Sequence, residues 1–254
     1  MASNKVKDAK SIFVANVKGG VGKSTLSIML ARALAEKIPP QNITVIDTDL
    51  QRTATEFLTN SNPEINVEFL PITPAFENTN ISLVQQFIKQ NEFRPGHVVI
   101  VDTPAGSSQR LWNLVAEGYC VLIPTTLSNA DLFPTENFIR SMDKVKARYA
   151  KSHPHLVVCP NKITFGQKDF SLMAERLNIH DVVIGPPLRE LASVRHFYNG
   201  KIENWENKSN NNAQSDFKQF GSFIEKYVLD GELDKIYLQK ESTKNIIPFE
   251  KANN

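Results

Sequence analysis

Short apolar runs alternate along the chain with segments whose apolar residues recur at helical spacing. Five runs rich in Val and Ile and two weaker ones cover residues 11–17, 43–48, 97–103, 120–125, 155–160, 67–72 and 181–185. Continuous apolar runs are typical of parallel strands that helices cover on both faces. We therefore predict an α/β fold with a doubly wound, mostly parallel sheet flanked by helices.

The segments between the runs predict the helices that connect these strands. They cover residues 24–37, 81–90, 110–118, 131–150 and 170–177. Further along, a polar, Asn-rich stretch at 202–215 predicts a long surface loop, and residues 216–231 predict a last amphipathic helix. We expect the chain to divide into a short extension at 1–10, one domain at 11–230 and a C-terminal helix or tail at 231–254.

Composition and charge narrow the class of protein. A chain of 254 residues with 41% hydrophobic content has enough apolar side chains for one sizeable core. Its 29 basic and 27 acidic residues neither favour nor exclude a nucleic-acid partner. The two cysteines lie in apolar runs and predict buried, reduced thiols. With a polar start and no apolar run near ~20 residues, we expect a cytoplasmic protein.

The clearest chemical signal is the string VKGGVGKST at 17–25, between the first predicted strand and helix. Its glycines let backbone N–H groups point inward, and the helix N-terminus adds partial positive charge, so the loop can cradle phosphate. Two lysines in one tight turn repel each other unless an anion such as triphosphate lies between them. The predicted nucleotide-binding residues are Lys18, Gly19, Gly20, Val21, Gly22, Lys23, Ser24 and Thr25.

The usual phosphate-loop pattern requires glycine at position 17, whereas this chain has Val17 and a second lysine, Lys18, before the glycines. The string KGGVGKST resembles the deviant Walker A motif of ParA/MinD family ATPases with a P-loop NTPase fold. It is most similar to small ParA proteins without an N-terminal DNA-binding domain. The resemblance implies cofactors ATP and Mg²⁺, a homodimer formed around ATP, and slow, partner-stimulated hydrolysis. It also implies that Lys18 reaches the nucleotide of the partner subunit.

Acidic residues at the ends of two predicted strands complete the expected site. Asp102 ends an apolar strand and, like a Walker B carboxylate, is predicted to hold Mg²⁺ with Ser24. VIDTDLQ at 45–51 resembles the D-x-D-P-Q element of the family, with Leu50 where proline is usual. By that resemblance Asp49 orients or activates the attacking water, and Asp47 supports the metal or its waters. The predicted catalytic residues are Lys18, Lys23 and Asp49.

Two later segments correspond to those that hold adenine in this family. They are CPNKI at 159–163 and GPPLREL at 185–191. Asn161 offers both a donor and an acceptor to a base edge, and Pro186 or Pro187 is placed to pack on its face. A second interpretation, in which Asn161 only caps a turn, stays open.

The resemblance implies an ATPase that binds DNA non-specifically and partitions or positions cargo on the nucleoid. The cargo would be a plasmid, a chromosome region or a large assembly such as a carboxysome, and a ParB-like or cargo-adaptor protein would stimulate hydrolysis. Candidate DNA contacts are basic residues late in the chain, namely Arg189, Arg195, Lys201, Lys218 and Lys226.

Two other functions use the same scaffold. A MinD-like ATPase that cycles on membranes needs a basic amphipathic helix near the C-terminus. The end of this chain, STKNIIPFEKANN, contains a proline and few apolar residues, which makes a membrane partner the weaker hypothesis. The other alternative is a P-loop maturation or biosynthetic enzyme, which Lys18 and the lack of paired cysteines disfavour.

Overall fold

Seven strands form one sheet in the structure, a computed structural model that describes residues 9–92, 94–106, 108–149, 154–164, 167, 169–177, 180–190 and 211–240. The strands are β1 (Lys10–Val14), β2 (Ile43–Asp47), β3 (Asn66–Phe69), β4 (Val98–Asp102), β5 (Cys120–Thr125), β6 (His155–Pro160) and β7 (Val182–Ile184). Their order is β3-β2-β4-β1-β5-β6-β7, and all pairs are parallel. The predicted doubly wound α/β fold is confirmed.

Helices cover both faces of the sheet. In the described part of the chain they are α1 (Lys23–Ala35), α2 (Thr53–Ser61), α3 (Glu77–Asn91), α4 (Gln109–Val115), α5 (Asn129–Tyr149), α6 (Ser171–Leu177), α7 (Asn211–Phe223) and α8 (Glu232–Lys240), with a π-helical segment at Ile224–Leu229 after α7. The helices α1, α2, α7 and α8 and the π segment pack on one face. The other face carries α3 to α6. None of the described helices is long and apolar enough to cross a lipid bilayer.

Burial explains why five strands are clear in the sequence and two are weak. In β2, β4, β5 and β6 every residue is buried. The edge strand β3 instead alternates between exposed and half-buried residues, and the other edge strand β7 has only three residues. A strand whose faces are less completely covered needs fewer apolar residues, and a strand of three residues gives only a short apolar run.

The predicted loop at 202–215 is wrong at its end, because α7 begins at Asn211. Residues 202–210 lie outside the described part. The polar residues 211–215 form the first helical turns, ahead of the buried side chains of Asp216 and Phe217. A polar stretch is compatible with a helix where few of its side chains reach the core. The sequence pattern also gives no signal for α2.

The helix α8 is attached to the amino ends of the central strands. Leu233 is fully buried in the core. The neighbouring Asp234 accepts a hydrogen bond from the Tyr119 hydroxyl at 3.2 Å, and its Oδ1 lies 2.7 Å from Nε2 of His155. Tyr119 directly precedes β5 and His155 begins β6. The helix α8 therefore contacts the amino end of the sheet, opposite the carboxyl ends of the strands.

We expect Leu233→Ala to lower the free energy of unfolding by about 2–4 kcal/mol, because it leaves a cavity in a closed core. Urea unfolding monitored by circular dichroism measures the change. Lys235→Ala on the exposed side of the same helix is the matched control and should change little. Wild-type stability in Leu233→Ala would show that α8 does not contribute to the core.

Candidate functional site

The loop between β1 and α1 lies at the centre of the carboxyl edge of the sheet. Gly20 and Gly22 have φ angles of 77° and 95°, in the left-handed region that favours glycine. Gly22 offers α1 no capping side chain, and the first turn of α1 contains no acidic residue. The helix N-terminus therefore presents N–H groups and partial positive charge to an anion, as the sequence predicts.

Lys23 is buried at the base of this loop. Its Nζ donates a hydrogen bond to the carbonyl oxygen of Lys18 at 3.1 Å. Burial lowers the pKa of Lys23, and the nearby Asp102 and Asp49 carboxylates oppose that shift. A phosphate group beside this ammonium would replace the lost hydration with an opposite charge.

Asp102 is fully buried beside Lys23. Its Oδ1 accepts a hydrogen bond from the Ser27 hydroxyl at 3.0 Å. Its Oδ2 is buried and has no hydrogen-bond partner in the described structure. Burial raises the pKa of Asp102 to about 7, and hydrogen bonding by the Ser24 and Ser27 hydroxyls offsets only part of this shift. A buried carboxylate oxygen without a partner is suited to a hard divalent cation.

The donor set around Asp102 fits Mg²⁺ in particular. Among the described residues, no group of three or more His, Cys, Asp or Glu side chains is placed to hold a metal ion. Mg²⁺ commonly relies on one or two protein oxygens together with water and substrate phosphates. The residues that fit this pattern are Asp102 and Ser24 at the start of α1.

Asp47 lies next to Asp102 in the sheet but faces different partners. Its Oδ1 accepts from the backbone N–H of Asp49 at 3.1 Å. Its Oδ2 accepts from both the N–H and the hydroxyl of Thr55 at 2.9 Å. Burial raises the pKa of Asp47 and these bonds oppose the shift. Because direct metal coordination would compete with them, the geometry favours Asp47 as an anchor for α2 over direct coordination of the metal.

Asp49 begins a tight turn at the rim of the site. Its carbonyl oxygen accepts from Arg52 N at 3.0 Å, and its Oδ1 accepts from Gln51 N at 3.0 Å. Leu50, which replaces the family's proline, is 62% exposed in this turn, so the turn forms without proline. Arg52 closes the turn with a φ of 53°, a strained conformation for a residue with a side chain.

Lys18 is held by residues that sequence reasoning missed. Its backbone N–H donates to Oδ1 of the buried Asn16 at 3.1 Å. The Asn16 amide in turn donates to the Pro124 carbonyl and the Thr135 hydroxyl, both at 2.9 Å. The Lys18 ammonium lies 3.6 Å from Oδ1 of Asp131. These partners come from the β5–α5 region, more than 100 residues away, and no local pattern marks them.

Asn161 supports the phosphate loop from below. Its amide donates to the Val21 carbonyl at 2.8 Å, and its Oδ1 accepts from Lys162 N at 2.9 Å. A Cβ at Gly22 would collide with the Asn161 amide nitrogen. The side chain is 95% buried and is engaged on both its oxygen and its nitrogen. The geometry therefore favours a structural role for Asn161 over its predicted contact with adenine.

The two prolines predicted near the base differ in accessibility. Pro186 is buried and Pro187 is half-buried. The segment runs beside β6, where the Leu188 N–H donates to the Pro160 carbonyl at 2.8 Å. Pro187 thus has more ring surface to offer a ligand than the predicted Pro186.

Arg189, a predicted DNA contact, is already engaged within the chain. Its guanidinium donates to Asp216 through Nε at 3.0 Å and Nη2 at 2.5 Å, and Nη2 also donates to the Asn212 carbonyl at 2.9 Å. Asp216 is buried, so this charged pair fixes the start of α7 to the segment after β7. Among the predicted DNA contacts that the structure describes, Arg189 has the least available charge.

The remaining basic candidates fall into two groups. Lys218 on α7 and Lys226 on the π segment are exposed. The Lys226 ammonium lies 5.1 Å from the centre of the aromatic ring of Tyr227. Arg195 and Lys201 lie outside the described residues. Of the predicted set, Lys218 and Lys226 are the described cations with the most accessible charge.

Comparison with known proteins agrees with this geometry. Residues 12–234 match the CobQ/CobB/MinD/ParA nucleotide binding domain. The chain belongs to this family. The predicted ParA/MinD resemblance is confirmed. Over 113 residues the chain is 34% identical to Protein ParA of Rhizobium radiobacter, covering 44% of this chain and 47% of that protein, so the match spans about half the relative's length.

Solved structures of this family share the fold. A variant of Cyanothece McdA in complex with ATP has a TM-score of 0.67 and 17% identity, over 85% of this chain and 95% of that one. MinD of Pyrococcus horikoshii with Mg-ADP has a TM-score of 0.58 and 17% identity, over 90% and 98% of the two chains. At these identities the match shows the fold, and the bound ligands agree with the predicted cofactors, ATP and Mg²⁺.

We expect Asp102→Asn to stabilise the nucleotide-free protein above neutral pH. The raised pKa means that the folded state keeps a proton that the unfolded state has lost, so the wild type loses stability as pH rises from about 4 to about 7. The variant has no such loss and should exceed the wild type by about 2–4 kcal/mol at pH 8. Urea unfolding at several pH values measures the difference.

The same variant should lose the extra stability that Mg²⁺ gives in the presence of nucleotide. Thermal unfolding with and without EDTA is the measurement, and the wild type in the same buffers is the control. An equal Mg²⁺ effect in both proteins would remove Asp102 from the metal site.

A second substitution distinguishes the two interpretations of Asn161. Asn161→Ala removes the support of Val21, so we expect affinities for ATP and GTP to fall by the same factor, roughly 5- to 30-fold. Fluorescent nucleotide binding measures both, and Lys162→Ala on the exposed side of the turn is the control. A loss of affinity for ATP but not for GTP would show that Asn161 contacts the adenine base instead.

Proposed function

We propose that this chain is a Mg²⁺-dependent ATPase that dimerises around ATP, binds DNA non-specifically and partitions or positions cargo on the nucleoid. The proposal rests on the placement of the Lys18 side chain. Lys18 lies next to a buried phosphate-loop lysine, yet its ammonium reaches outward to Asp131 at the rim, and its side chain is 41% exposed. A cation with this placement has the freedom to serve a second subunit.

Hydrolysis would use the groups already assembled at the carboxyl edge. Lys23 and the α1 N-terminus would bind the β- and γ-phosphates, and Asp102 and Ser24 would hold Mg²⁺. Asp49 lies on the rim turn, where its carboxylate would orient the attacking water. When bound, Mg²⁺ would neutralise charge developing on the phosphates. Phosphoryl transfer depends mainly on positioning and charge stabilisation, so Lys18 supplied by the partner would complete the site.

DNA binding would come from a surface that two subunits form together. Lys218 on α7 and Lys226 on the π segment are exposed and lie about two helical turns apart, and a dimer would present both twice. This doubling would let a chain with a near-balanced charge bind phosphates only when ATP is present. A ParB-like or cargo-adaptor protein would then stimulate hydrolysis and release the complex.

The test combines dimerisation and DNA binding. We expect wild type with ATP and Mg²⁺ to dimerise and to bind random duplex DNA, with affinity falling steeply as salt rises. With ADP both should be weak. Lys18→Ala should bind nucleotide but stay monomeric. Lys218→Ala should dimerise normally and lose roughly 3- to 10-fold in DNA affinity, whereas Lys89→Ala on the opposite face of the sheet should not.

Anionic liposomes in the same assay separate the DNA function from a membrane function. ATP-dependent binding to liposomes without binding to DNA would support a MinD-like cycle instead. DNA binding that is equal with ADP and ATP would contradict the nucleoid proposal. A monomeric, hydrolytically active wild type would favour a biosynthetic or maturation enzyme.

A further inference from the structure

Both ends of Lys18 are held by one neighbouring segment, residues 124–135, which covers the end of β5 and the start of α5. The backbone of Lys18 is attached through Asn16. Its side chain reaches Asp131 in the first turn of α5, where the ammonium nitrogen lies 3.6 Å from Oδ1. No other acidic side chain is recorded within ion-pair distance of Lys18 in the described structure.

Asp131 is positioned independently of Lys18. Its Oδ2 accepts a hydrogen bond from the Thr126 hydroxyl at 2.7 Å. Its backbone N–H donates to the Ser128 carbonyl at 3.1 Å. A carboxylate in the first turn of a helix is further stabilised by the partial positive charge of that terminus. Asp131 would therefore keep its place if the lysine left.

We infer that Asp131 is a positioning residue that retains Lys18 within its own subunit and so opposes its transfer to the nucleotide of a second copy. This inference rests on the proposed cross-dimer role of Lys18. In this inference the Lys18 ammonium leaves Asp131 when it reaches a phosphate of the opposite subunit, so each dimer that forms breaks two such pairs. The Lys18 and Asp131 side chains are 41% and 17% exposed, which makes the pair weak enough to break.

The size of the effect follows from the exposure of the pair. A partly exposed ion pair changes an equilibrium by roughly 1.4- to 5-fold. Because two pairs break per dimer, removing them should tighten dimerisation by roughly 2- to 20-fold. Asp131 thus sets the protein concentration at which the ATP-bound dimer appears.

The experiment measures the dimer dissociation constant by sedimentation with AMPPNP and Mg²⁺. Asp131→Asn keeps an oxygen for Thr126 but removes the charge, so we expect the constant to fall by roughly 2- to 20-fold. Asp131→Glu restores the charge and should return it toward wild type. In ATPase assays, the protein concentration for half-maximal rate should fall in Asp131→Asn while the maximal rate per dimer is unchanged.

Three controls separate positioning from a structural effect. Glu64→Gln makes the same change in charge at an exposed site just before β3, at the opposite edge of the sheet, and should leave dimerisation unchanged. Unfolding temperatures of the variants should match the wild type. In a double-mutant cycle, Lys18→Ala with Asp131→Asn should dimerise like Lys18→Ala alone.

The outcomes distinguish this inference from the proposed function. If Lys18→Ala blocks dimerisation but Asp131→Asn leaves it unchanged or weakens it, the inference is overturned and the proposed function stands. If Lys18→Ala dimerises like wild type, the cross-dimer role fails and the inference fails with it.

Discussion

The hydrogen-bonded register of β1 between β4 and β5 determines the rest of the structure. Val14, the last residue of β1, lies opposite Asp102, the last residue of β4. The chain leaving β1 therefore passes over Asp102 and returns as α1 with Lys23 beside that carboxylate. Since side chains alternate along a strand, a shift of one residue would turn Asp102 to the other face of the sheet. Backbone pairing thus brings the loop, the cation and the carboxylate together.

The fold and the glycine-rich loop between β1 and α1 could be predicted because their signals are local. Each apolar run is continuous in sequence, and the loop occupies adjacent residues. The roles of Asp47 and Asn161 could not be assigned in this way, because each depends on which backbone groups the folded chain places beside the side chain. Thr55 supplies such a group for Asp47, and Val21, 140 residues away in sequence, supplies one for Asn161. The contact of Asp131 with Lys18 could not be predicted for the same reason, since acidic residues are common in the first turn of helices.

The site contains several groups that are unfavourable without a ligand. A carboxylate oxygen is buried without a partner, a lysine is desolvated, and Arg52 adopts a left-handed conformation at the turn that follows Asp49. Two apolar clusters, one on each face of the sheet, hold these groups in place. The buried carboxylate and the desolvated lysine lie at the carboxyl edge, where a nucleotide and its metal would supply the opposite charges. The packing of these two apolar clusters stabilises the fold enough to keep the unfavourable groups of the site in position.

The anchoring of the phosphate loop has a consequence for how the protein is made. Asn16 depends on Pro124 and Thr135, and Val21 depends on Asn161, which is 140 residues further along the chain. During synthesis the loop emerges early, but its supports emerge only after more than half of the chain has left the ribosome. A nascent chain that ends before β6 contains the whole nucleotide motif yet lacks Asn161, the residue that holds the Val21 carbonyl. The loop therefore gains its full set of supports only after β6 has been synthesised.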